Sequence, residues 1–66
     1  MFPTKKILCT LAVPGQVEVV TLRRDDDRFE TVLFGGELDG ERFVCRRDPD
    51  AQHEHAVTLA RIAAAT

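Results

Sequence analysis

FETVLFGGELDGERFVCRRDPD, residues 29–50, is the stretch on which the fold turns. Phe29 to Phe34 is rich in aromatic and β-branched residues, which suit a pleated strand. Gly35-Gly36 and Asp39-Gly40 bracket the next turn, and Asp-Gly between two apolar runs is a strong hairpin signal. A further strand follows over 41–46, with Phe43 and Cys45 opposite Val44. Asp48 then suits a helix N-cap, Pro49 the first helical position, and Asp50 the positive end of the helix dipole. Two antiparallel strands running directly into a helix make an α+β unit.

Working upstream, residues 5–13 put Ile7, Cys9, Leu11 and Val13 on one face at period two, with Leu8, Thr10 and Ala12 on the other. Pro14-Gly15 marks a turn. In the strand over 16–23, Val17 and Val19 alternate with Glu18, and then Val20 and Leu22 move the apolar residues to the opposite face. Such a switch implies a bulge, or a strand covered on both sides. Arg24 to Arg28 is a polar loop. Downstream, a helix is expected from Pro49 to about residue 64, with Ala51, His55, Ala56, Leu59, Ile62 and Ala63 on one face. Glu54, Thr58 and Arg61 lie opposite. The expected fold is a three- or four-stranded antiparallel β-meander followed by one C-terminal α-helix packed on the sheet, in a single domain over 1–66.

The chain has 66 residues, 30% of them charged, and a net charge of −2. A chain this short buries a modest share of its surface and often borrows stability from a second subunit. A negative balance argues against a general electrostatic grip on nucleic acid, which needs Lys and Arg in excess. Two cysteines, Cys9 and Cys45, are too sparse for a disulfide framework. The apolar run 7–13 is broken by Pro14-Gly15 and lacks a signal-peptide cleavage pattern. No stretch approaches the ~20 apolar residues of a membrane span. These features set the expectation of a cytoplasmic protein with reduced thiols. The preference for Arg over Lys, with many Ala and Asp, suggests a GC-rich genome.

No residue pattern demands a particular chemistry. His53 and His55, two apart on a helix, diverge by about 160° and cannot share one metal ion, whereas zinc helices space their histidines i, i+4. No metal and no cofactor are therefore expected. His55, placed mid-face beside Leu59 and Ile62, reads as a packed structural histidine bonded to a strand group. Cys9 and Cys45 read as small core residues rather than nucleophiles. Asp25-Asp26-Asp27 lacks the spacing of a calcium loop. Gly35, Gly36, Asp39 and Gly40 read as turn residues and Asp48 as a cap. Arg23, Arg24, Arg28, Arg42, Arg46 and Arg47 fall in or beside strands. They could gather to bind phosphate or an acidic surface, or pair with Asp25 to Asp27, Glu30, Glu37 and Glu41 across strands.

The functional expectation comes from the strands. Val17 and Val19 oppose Val20 and Leu22, and Phe29 and Leu33 oppose Val32 and Phe34, yet one helix covers one sheet face. Either the second apolar face is an interface, or the first strand folds over it and closes a small barrel. Phe34, Val44, Arg42 and Arg46 are the candidate partner-binding residues, and a homodimer is expected. Residues 29–55 also resemble small uncharacterised proteins encoded by actinobacterial phages, through Phe29 to Phe34, Gly35, Gly36, Asp39, Gly40, Arg42, Asp50, Ala51 and His55. Glu54 stands where those proteins usually have Gly, and Cys45-Arg46-Arg47 where an aromatic is common. The resemblance implies a phage accessory protein acting in the host cytoplasm, and no established activity. The expectation is a small non-enzymatic protein that binds a host or phage protein. The alternative is a nucleic-acid-binding module using an Arg-lined sheet.

Overall fold

The computed structural model describes residues 6–65. It contains strands β1 (Lys6–Val13), β2 (Val17–Arg23), β3 (Phe29–Phe34) and β4 (Arg42–Cys45), followed by helix α1 (Pro49–Ala65). The strands pair in chain order, and every pair is antiparallel. The fold is thus the α+β meander with one C-terminal helix, and it has four strands. Lys5, where the first strand was expected to begin, lies outside the described residues.

Each connection has a local cause. Gly15 and Gln16, at φ 97° and 61°, turn the chain between β1 and β2. Between β2 and β3, the Arg24 amide donates to the Arg28 carbonyl at 2.8 Å. Between β3 and β4, the Asp39 carboxylate accepts the Gly35 amide at 2.6 Å, and the Gly40 amide donates to the Leu33 carbonyl at 2.8 Å. Gly35 has φ 89°, and a Cβ there would strike the Gln16 backbone carbonyl. Asp48 Oδ1 accepts the Ala51 amide at 3.0 Å, the N-cap bond to the third helical residue.

The register settles which residues share a face. Cross-strand partners Leu11, Val19 and Leu33 lie in one row, and Cys9, Thr21, Thr31 and Phe43 in the next. This is the face α1 covers. Val13, Val17, Val19 and Leu33 pack there against Ala56, Val57 and Ala60, with Leu38 and Phe43 at the margin. Ala56 and Ala60 have almost no side chain, so the helix backbone lies close to the sheet and both are buried. Burying a Val or Leu contributes about 1.5–3 kcal/mol, so these few residues dominate the stability of the domain.

Two alternatives left open by the sequence are decided here, and two expectations change. The apolar switch in β2 is not a bulge in that strand, because its pairing with β3 is unbroken from Glu18 to Arg23. The irregularity sits in β1, between Ile7 and Cys9. It leaves Leu8 without a register partner and puts Ile7 in line with Leu22 rather than with Cys9. β1 does not fold over the second face; it is the sheet edge beside β2. The buried helix face is His53, Ala56, Val57 and Ala60, whereas Ala51, His55 and Ile62 are exposed. The face is rotated from the expected one because small residues, rather than large apolar ones, permit the closest approach. Finally, Cys9 is exposed and Cys45 half-buried, so neither belongs to the core.

Candidate functional site

Two features stand out once the fold is laid down. The first is a polar chain crossing the covered face. His53, on the first turns of α1, faces β2 and β1 at once. Its Nδ1 lies 2.6 Å from Thr21 Oγ1, and its Nε2 lies 3.2 Å from Cys9 Sγ. Thr21 Oγ1 lies 2.6 Å from Thr31 Oγ1. Gln52, the residue before His53, donates from Nε2 to Thr31 Oγ1 at 3.0 Å and to the Phe29 carbonyl at 3.3 Å.

Counting protons assigns a direction to this chain. The Gln52 amide nitrogen can only donate, so Thr31 accepts from it. Thr31 has no other acceptor than Thr21 among the described hydrogen bonds. Its proton therefore goes to Thr21, and the Thr21 proton goes to His53 Nδ1. The remaining ring proton sits on Nε2 and faces the Cys9 sulphur. Every hydroxyl proton has an acceptor in this arrangement. Thr21, Thr31 and His53 are all buried, so the ring is held in one orientation.

The packed histidine is therefore His53. His55 is exposed, and its ring meets Phe43 edge-on with centroids 6.0 Å apart. Sequence reasoning passed over Thr21, Thr31 and Gln52, and the one usable signal lay in the helix that carries their partner His53. His53, Ala56, Val57 and Ala60 recur at the i, i+3, i+4, i+7 spacing of a single helix stripe.

The second feature is the face of the sheet that no element covers among the described residues. Its rows, by register, are Ile7, Leu22, Glu30 and Val44; Thr10, Val20, Val32 and Arg42; and Ala12, Glu18 and Phe34. Phe34, Val44 and Arg42 are thus brought together on one surface, and Arg46 is exposed just beyond the end of β4. Phe34 is 49% exposed, Val44 44% and Ile7 61%. Glu30 lies among them only 6% exposed. Arg42 reaches it at 3.6 Å and Arg24 at 3.9 Å. Arg23 pairs with Asp27 at 2.6 Å and Arg24 also with Asp26 at 3.2 Å. Arg23, Arg24 and Arg42 are therefore matched with carboxylates, with Asp26 and Asp27 in the β2–β3 loop and with Glu30 on β3.

Among the described residues, no three His, Cys, Asp or Glu side chains come together as metal ligands would. No helix there is long and apolar enough to cross a membrane. Comparison with protein-family models, with curated proteins and with solved structures gives no match.

Proposed function

We propose that the chain is a small accessory binding protein whose uncovered sheet face is closed by a second copy of itself. The observation that supports this reading is the open face, which exposes Phe34, Val44 and Ile7 and carries an internally neutralised Glu30. Apolar side chains around a compensated charge suit sheet-on-sheet packing, in which inner faces stack about 10 Å apart. The ion pairs run within one chain, so the face does not require an oppositely charged partner. Four strands about 4.8 Å apart and about 20 Å long give a footprint of roughly 400 Å². That is a small interface, since stable ones remove about 800 Å² of accessible surface per partner, and a concentration-dependent dimer follows.

In such a dimer the loops and the Arg46-Arg47 segment after β4 stay outside and are free to meet another protein. The resemblance to phage-encoded proteins makes a host or phage protein the partner class, and the cytoplasm of the host the setting. The reading involves no catalysis. The nucleic-acid alternative draws less support, because Arg24 and Arg42 already converge on Glu30.

Light scattering across a wide concentration range tests the reading. A mass rising from one chain to two, and held at one chain in Phe34→Ser, is the expected result. A single-chain mass throughout would overturn it.

A further inference from the structure

We propose that Cys9 is a thiol-exchange site that takes up one half of a small disulfide with amino-acid ends. This goes beyond self-association, since it uses the opposite face of the molecule. Three observations converge on it. The Cys9 thiol is exposed, on the edge strand β1. Its sulphur sits 3.2 Å from His53 Nε2. The imidazole is itself held by Thr21, which is held in turn by Thr31 and Gln52. With Nδ1 accepting from Thr21, the imidazole meets Cys9 through its Nε2–H, so it acts on the sulphur as a fixed donor and not as a base. The attacking species in exchange is the thiolate, and the N–H that the proton count places on Nε2 is a donor to it.

The ligand class follows from a cavity that reaches the pair through His53. A hollow of about 220 Å³ is lined by His53, Leu11, Val57, Thr58, Glu54 and Arg61. Pockets for drug-sized molecules run to about 300–1,000 Å³, so this one suits a fragment the size of a single amino acid. Glu54 and Arg61 are exposed and take part in no ion pair among the described residues. A carboxylate and a guanidinium on one rim match the ammonium and carboxylate of an amino acid. Leu11 and Val57 offer apolar surface to its methylene.

The reaction balances without a further reagent. The Cys9 thiolate attacks one sulphur of R–S–S–R, a new S–S bond forms, and the old one breaks. The Cys9 proton passes to solvent, to which the thiol is exposed, and the leaving sulphur departs with the bonding pair as R–S⁻ and is protonated from solvent. The Cys9 sulphur is oxidised and the leaving sulphur reduced, so the disulfide is both oxidant and ligand.

The test treats the full chain with cystine, or with hydroxyethyl disulfide, which has no charged ends, and follows each cysteine by peptide mass spectrometry. Cys45, whose thiol has only a weak 3.9 Å contact to the Asp48 carbonyl, is the control within the same molecule. Cys9 should react about tenfold faster than Cys45, with cystine preferred. His53→Gln should bring the Cys9 rate down by a similar factor while leaving the Cys45 rate unchanged. The Cys45 rate also reports folding, because unfolding would raise it. Arg61→Gln, on the exposed side of α1, should remove the preference for cystine and leave Cys9 faster than Cys45 towards hydroxyethyl disulfide. Equal rates at the two cysteines, or a Cys9 rate indifferent to His53 in a folded variant, would overturn the site. A Cys9 that reacts equally with both reagents would overturn the amino-acid ligand.

Discussion

Thr21 is only 1% exposed and its hydroxyl has two partners, Thr31 and His53. Replacing it with Val keeps the shape and strands both partners. A buried polar group left unsatisfied costs about 1–3 kcal/mol, so Thr21→Val should lower stability by that amount in urea denaturation. A loss below about 0.5 kcal/mol would mean that the hydroxyl is not part of the chain of hydrogen bonds. Gly35 and Gly40 make a second pair of residue-scale cases. Both have φ 89°, but a Cβ on Gly35 meets the Gln16 carbonyl and one on Gly40 meets nothing within 4 Å. Left-handed backbone costs an L-residue roughly 1–2 kcal/mol. Gly40→Ala should cost about that much, and Gly35→Ala clearly more, since backbone cannot step aside. Equal midpoints for the two variants in denaturation would refute the argument. The glycines were legible in the sequence as turn residues. The threonines were not, because on a strand Thr looks like any β-branched residue, and nothing local shows that one will meet a histidine 32 positions along and the other a glutamine 21 positions along.

At the scale of elements, the helix boundaries could be read and its rotation could not. Asp48-Pro49-Asp50 fixed the start, and Asp48 does bond the Ala51 amide. Its φ of 48° also lies in a region that Asp and Asn tolerate better than Ala. Asp48→Ala should therefore lose the cap and strain the backbone together, for about 1–2 kcal/mol, while Asp48→Asn should lose only a few tenths. Thermal unfolding of the two variants checks this order. The rotation was missed because the apolar residues of α1 are spread round the helix. A reading weighted by side-chain size puts Leu59 and Ile62 inward. Packing weighted by approach distance puts Ala56 and Ala60 inward, and leaves Ile62 58% exposed. His53 follows them to the sheet because it lies on the same stripe. β2 shows the same lesson in a strand. The switch from Val19 to Val20 looked like a bulge, but Thr21 simply takes the covered position next in line, and Val20 and Leu22 belong to the open face.

At the scale of the molecule, the two-sided apolar pattern of β2 and β3 is visible in the sequence, and it is what leaves a face uncovered. The pattern could not say whether β1 would close over that face, because its alternation fits an edge strand and a barrel strand alike. The Pro14-Gly15 turn and the register Val13↔Val17 send β1 back alongside β2, and the face stays open. If a second copy covers it, stability must depend on concentration, because a partner that binds only the folded chain adds to the unfolding free energy by mass action. The melting temperature should thus rise with protein concentration, and Phe34→Ser or Val44→Ser should abolish the rise. Salt separates this from an electrostatic contact. An apolar interface with its ion pairs internal to each chain should keep the rise at molar salt, where exposed charges are screened beyond about 3 Å. A nucleic-acid surface would instead lose affinity steeply over the same range. A melting temperature independent of concentration in both salts would leave the exposed Phe34 and Val44 with no copy of the chain to bury them, and the self-association argument would fail at its first step.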